Sequence, residues 1–339
     1  MKIFLYEIRK LIMSKRLLII IGAFLIQIAI MFIPQSYEHE YSDEVYKKYI
    51  NQISGEYTDE KRDFIFNRAD EINEIISNHE DVISAYKRND ISLDEFETNN
   101  FAYNKALTEQ TTVQYLMKKC FYFDEIGRGV FFYDTNWIDF FSNSGYNYII
   151  ALVVICLIIP VFDNEYQSNA VSMLLTTRHG KRKICISKLI TVTLTTFLVA
   201  FAIYMLQYAT FMFISGDNAS LGVENLMGYS GFPEISLERY YIYDTLIKSV
   251  SWVVAALFIC AVCVLVKNTV FSFFISFIFI VCPYFISHFF NSNWFGYVFS
   301  ANQLGKMYTE NQTLMLIMIA YVIKSTAYSL FCIRKWERL

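Results

Sequence analysis

Six stretches of this chain are too long and too apolar for a water-soluble fold: 17–34, 146–162, 189–215, 245–266, 269–290 and 314–333. A helix rises about 1.5 Å per residue, so about 20 apolar residues span the roughly 30 Å hydrocarbon core of a bilayer. Composition agrees: 55% of the residues are hydrophobic and 18% aromatic, and the mean hydropathy is positive. The reading is an all-α membrane protein with six transmembrane helices. The segment 17–34 is long for the core of a signal peptide and lacks a small-residue cleavage site, so it is expected to stay as a signal anchor.

Lys and Arg bias orients the spans, because cytoplasmic loops are enriched in them. Lys2, Arg9, Lys10, Lys15 and Arg16 precede the first span. Arg178, Lys181, Arg182, Lys183 and Lys188 follow the second, and Arg334, Lys335 and Arg338 follow the sixth. The loops 216–243 and 291–311 carry only Arg239 and Lys306. Both termini are therefore expected in the cytoplasm, with Trp137, Tyr146, Tyr148, Tyr240, Tyr241, Trp294 and Tyr297 as aromatic anchors at the outer boundary. Lys267-Asn268 alone separates the fourth and fifth spans, which makes those two antiparallel neighbours.

Residues 1–16 read as an amphipathic interface helix. Phe4, Leu5, Ile8, Leu11 and Ile12 share one face and Lys2, Arg9, Lys10 and Arg16 the other. The other reading is a simple extension of the first span.

Residues 35–144 form an acidic extracellular domain. They hold 22 acidic and 11 basic residues, about two-thirds of the 32 acids in the chain. That balance is not built for nucleic acid. Ile65, Ala69, Ile72, Ile76, His79, Ile83 and Tyr86 recur at steps of four and three, the pattern of a helix seam. Thr58 before Asp59 and Glu60 is a helix start. Asn89-Asp90 is a turn, and Ser92-x-x-Glu95 is a capping box. The expectation is a helical hairpin with a short helix at 43–54, followed by an irregular aromatic segment over 121–141. The acidic surface either steers a cationic cargo or simply keeps the domain soluble.

Catalytic constellations are missing from the sequence. It holds no H-E-x-x-H, G-x-S-x-G or G-x-x-x-x-G-K-[ST] pattern, and Leu175 stands where a phosphate loop ending in Gly180-Lys181 would need its first glycine. His79, on the seam, is read as packed. The seven cysteines do not make a disulfide framework, and Cys260-x-x-Cys263 lies in an apolar run with no second ligand pair. Within the spans, Gln27 and Gln207 are hydrogen-bonding residues that also suit a translocation path. Lys324 either snorkels to the cytoplasmic surface or faces a polar cavity. Asp and Glu are essentially absent from the apolar runs, which argues against a proton-driven carrier. Ser272 and Ser276 allow close helix approach, within the chain or between two copies.

The loop 163–188 is the most informative stretch. It combines Asp163 and Glu165, a short amphipathic run at Val171, Met173, Leu174 and Leu175, and a basic cluster at 178–183. An ordinary cytoplasmic loop needs no exposed leucines. Here the chain resembles the permease subunit of a type-2 ABC exporter. That family typically shows a Glu closing the second span, Gly-Thr, a Leu-Leu run, Arg/Lys-x-x-Ile, and a Lys entering the third span. Glu165, Leu174-Leu175, Arg182-Lys183-Ile184 and Lys188 stand at those places, with Asn169-Ala170 where Gly-Thr is usual. The layout of interface helix, six spans and an insertion after the first span is also similar.

The resemblance implies an ATPase subunit, carrying ATP and Mg on its own chain, that docks on this loop as a coupling helix. Glu165, Val171, Leu174, Leu175, Arg182 and Lys183 would form the contact. It also implies a second membrane subunit, identical or different, and no cofactor on this chain. The rival reading from another class is a membrane sensor or scaffold whose outer domain binds a ligand or partner.

Overall fold

The computed structural model describes residues 6, 7, 9, 16–31, 39–143, 147–168, 176, 182–215, 217–229, 234–289 and 311–338. Among these the chain is almost wholly helical. The helices are α1 (Arg16–Met31), α2 (Asp43–Ile53), α3 (Asp59–Ser77), α4 (His79–Lys87), α5 (Leu93–Ile126), α6 (Thr135–Asn143), α7 (Tyr148–Gln167), α8 (Arg182–Ser215), α9 (Leu237–Val266), α10 (Thr269–Phe289) and α11 (Asn311–Glu337). A helix lies on each of the six apolar stretches. Three of them, α7, α8 and α9, are long and apolar enough to cross a membrane, and Leu18–Ile30 and Thr269–Cys282 are shorter apolar helices. These features mark a helical membrane protein.

The chain divides into two compact units. The first comprises Met1–Pro34, Phe140–Ala219 and Leu237–Leu339. Its core is built on α7, α8 and α9, with side chains from α10 and α11: Ile155, Phe162, Val192, Trp252, Cys260, Ile280 and Trp336 are all buried in one cluster. Cys260 and Cys263 are small apolar members of that core, as their setting predicts. Lys267, at φ 56°, ends α9. Asn268 Oδ1 then accepts from the amides of Val270 and Phe271 (3.0 and 3.2 Å) to start α10. Two residues thus reverse the chain, and the helices they join pack against each other. Ser272 and Ser276 are fully buried within the chain, so their stripe serves intramolecular packing. Tyr240 and Tyr241, expected as aromatic anchors at the outer boundary, are buried among protein side chains. The Tyr241 hydroxyl donates to the Tyr204 carbonyl (2.9 Å), and its ring packs on Phe140 and Tyr208.

The second unit comprises Gln35–Asp139 and Ser220–Ser236. Its frame is α3 against α5, with Ile65, Ala69, Ile72, Val113, Leu116 and Phe123 in its core. Thr58 caps α3, accepting from the Lys61 amide. Ser92 and Glu95 form the full capping box of α5. Asn89 takes a left-handed turn (φ 61°) before it. The seam is not one helix: it breaks at Asn78 between α3 and α4. His79 stacks flat on Tyr103, with centroids 3.5 Å apart. Trp137 is buried.

The segment 121–141, expected to be irregular, is mostly regular. Helix α5 continues to Ile126 and stops at Gly127 in the left-handed conformation (φ 70°). Val130–Phe131 then pairs antiparallel with Gly55–Glu56, and α6 follows. Gly129 permits the turn because a Cβ there would collide with the Phe123 ring. The stretch Ser220–Ser236, expected to be a plain loop, closes on itself through a Gly222–Ser236 bridge. Asn225 Oδ1 accepts from the Val130 amide (2.7 Å), and the Tyr122 hydroxyl donates to the Glu224 carbonyl (2.9 Å).

Two ionic clusters hold this unit. Lys119 and Asp134 are both fully buried at 2.6 Å, and the Tyr46 hydroxyl donates to Asp134 (2.6 Å). Glu109 accepts from the Tyr49 hydroxyl (2.7 Å) and from Arg68 Nη2 (2.8 Å). Burial pushes the Glu109 carboxyl up, but the hydrogen bonds from Arg68 and Tyr49 and the charges of Arg68 and Lys105 outweigh it, so its pKa ends below the ordinary 4.5. A depressed carboxyl stabilises the fold above its unfolded pKa, and that stability is lost as pH falls through its folded pKa. The second unit should therefore loosen as pH drops below about 4.5, and Glu109→Gln should remove that part of the acid sensitivity. Hydrogen exchange across α3 and α5 at pH 6 and pH 4 reads it. An identical pH response in the variant would mean that Glu109 does not carry the effect.

Candidate functional site

The residues flanking the loop 163–188 converge on one buried lysine. Lys188, two turns into α8, is wholly buried. Its Nζ lies 2.6 Å from Glu165 Oε1 and 3.6 Å from Glu7 Oε2, and it donates to the Val161 carbonyl at 2.7 Å. The ammonium also lies over the Phe162 ring, 5.5 Å from its centroid. One cation thus binds the end of α7, the start of α8 and the N-terminal segment that carries Glu7. A buried ammonium is tolerable only with such partners, because its desolvation penalty is several kcal/mol.

The surrounding packing makes this end of the bundle firm. Trp336, buried near the end of α11, packs edge-on against Phe162 and Tyr166, with centroids 5.7 and 6.0 Å apart. Gln167 donates to the Thr269 hydroxyl (2.8 Å), linking α7 to the first residue of α10. Arg182, mostly exposed, lies 3.9 Å from Glu337 and links α8 to α11.

Among the predicted contact residues, Glu165 is buried, so its carboxylate acts from inside the bundle through Lys188. Arg182 and Lys183 are exposed on the first turn of α8. Val171, Leu174 and Leu175 lie outside the described residues. Glu7 was missed by sequence reasoning. Its signal was a single acid on a helix otherwise read as basic.

The three predicted path residues lie apart in their surroundings. Gln27, on α1, is buried and accepts from Asn147 Nδ2 at 2.9 Å, which ties α1 to the cap of α7. Lys324 is half-buried on α11. Gln207 is buried on α8. One turn before it, the Tyr204 hydroxyl accepts from Trp252 Nε1 (3.2 Å), and Lys248 Nζ lies 5.8 Å from the centroid of the Tyr204 ring.

Lys248 is itself buried and bridged to Asp244 one turn earlier on α9. This pair was also missed. Its signal is an acid and a base four residues apart, obscured because the apolar run begins at Thr245, between them. Asp163 and Asp244 are both buried in helices that run past the apolar stretches. The absence of acids from the apolar runs therefore does not extend to the helices themselves. All three helices long and apolar enough to cross a membrane thus carry buried ionic groups: Asp163 and Glu165 on α7, Lys188 on α8, and Asp244 and Lys248 on α9, the kind of position where function is looked for first.

No protein-family model matches the chain, and neither a curated protein nor a solved structure matches it.

Proposed function

We propose that this chain is the membrane permease subunit of an ATP-driven ABC exporter, with six spans and both termini in the cytoplasm of a bacterial cell. It would move a peptide, lipid or drug-like amphiphile with a separate ATPase subunit and a second membrane subunit. The observation that carries this reading is the Glu7–Lys188–Glu165 cluster. A loop that receives force from a partner must pass it to the helices rather than bend. Here both ends of the loop, with the N-terminal segment, are joined at one buried cation. A push on the loop would move α7 and α8 together, which is how ATP-driven closure of a docked ATPase would bias the bundle between two packings. Arg182 and Lys183, exposed beside the cluster, offer polar contacts to that partner, and Val171, Leu174 and Leu175 its apolar face. Gln207 and the Asp244–Lys248 pair would supply polar groups along the bundle, whereas Gln27 and Lys324 stay separate candidates for the path.

Purification of the full chain from its native host in mild detergent tests this. A stoichiometric ATP-binding subunit should accompany it and be lost when Leu174 and Leu175 are replaced by glutamate. Recovery of the folded chain with a kinase or regulator, and no ATPase, would turn the assignment to a sensor or scaffold.

A further inference from the structure

A groove of about 630 Å³ opens on the first unit between α8, α9 and α11, within the roughly 300–1,000 Å³ range of small-ligand sites. Its walls include Ile186, Ile190, Leu194, Phe197, Val253 and Ile333, and only Thr193 and Ser329 are polar. Two of its three helices are among those long and apolar enough to cross a membrane. The occupant that suits such walls is a hydrocarbon chain.

One end of the groove is net basic: Arg182, Lys183, Arg334 and Lys335 are exposed there beside a single acid, Glu337, which lies 3.9 Å from Arg182. Lys183, Ile186, Ile190, Leu194 and Phe197 follow one another at helical steps of three and four, so Lys183 continues the groove face of α8. The Arg182–Glu337 contact brings the start of α8 beside the end of α11. There Arg334 and Lys335 are exposed, directly after the wall residue Ile333. An apolar groove between membrane helices with a basic mouth is complementary to a lipid with a negative headgroup.

We propose that this groove binds one anionic phospholipid, with an acyl chain between α8, α9 and α11 and the phosphate at Lys183 and Arg334. The proposal rests on the membrane reading of the chain and not on ATPase docking.

Native mass spectrometry of the full chain in mild detergent tests it. Phosphatidylglycerol and phosphatidylcholine with matched chains are supplied in equal amounts. The wild-type chain should retain one phosphatidylglycerol in clear preference to phosphatidylcholine. Lys183→Gln with Arg334→Gln should reduce that preference roughly thirtyfold, because each charge near the headgroup contributes about a factor of five. Ser329→Trp, which fills the groove, should remove the bound lipid of either kind. Equal retention of the two lipids by the wild-type chain would overturn the proposal. So would an unchanged preference in the double variant, or lipid retention by a folded Ser329→Trp variant. A switch from dimer to monomer on filling the groove would assign it to a second copy of the chain instead. If the tryptophan variant does not fold, the charge variant decides.

Discussion

Replacing Lys188 with methionine should lower the stability of the first unit by about 3–5 kcal/mol, the usual cost of removing one partner from a buried ion pair. The size follows from what is left behind. Glu165 and Glu7 would remain as two carboxylates in a site closed to water, with like charge and no cation between them. The Val161 carbonyl would also lose its donor. Thermal unfolding of the full chain in detergent reads the effect, and a melting curve unchanged from wild type would show that solvent reaches the site. Apolar replacement of the whole cluster (Glu7→Leu, Glu165→Leu and Lys188→Met together) should recover most of the loss, because no charge is then left buried. On the exporter reading the recovered variant still fails to couple ATP hydrolysis to transport. That separates a role in transmission from a role in folding.

Lys119→Met should have a comparable effect, about 3–5 kcal/mol, confined to the second unit. Lys119 and Asp134 are both wholly buried, and the lysine Nζ lies within 6 Å of the ring centroids of Tyr46, Phe123 and Phe132. Without the ammonium, Asp134 keeps only its neutral donors, chiefly the Tyr46 hydroxyl. Hydrogen exchange distinguishes the outcomes. Protection should fall in α2, α3 and α5 and stay unchanged in α8 and α9. Equal loss in both sets would mean that the two units unfold as one, and no loss in either would mean that the pair is dispensable.

Local signals in the sequence were read well, and long-range ones were not. Thr58, the Ser92–Glu95 box and the Lys267-Asn268 reversal each act through backbone groups a few residues away, so their residue types alone place them. Glu165 and Lys188 were both singled out, but nothing in their spacing shows that they meet or that Glu7 joins them, because that contact depends on how three segments pack. The stretch after Phe121 was misread because glycines and aromatics resemble a loop. Here Gly127 ends a helix and Gly129 lets the chain pass the Phe123 ring. Val130 and Asn225 share a hydrogen bond that no local pattern announces. The apolar runs located the helices but not their true ends: α8 and α9 extend beyond them and bury Lys188 and Asp244 there.

The second unit is assembled from two parts of the chain that leave the ribosome at different times. When synthesis reaches Asp139, all of its long helices already exist, but Ser220–Ser236 does not. Until that segment emerges, the Val130 amide lacks its Asn225 acceptor and the Tyr122 hydroxyl lacks the Glu224 carbonyl. Domains generally fold as units, in the order of synthesis. This one has its buried core, Tyr41 to Phe131, in hand before α8 is made. Its last hydrogen bonds, to Asn225 and Glu224, therefore close only after the whole of α8 has been made.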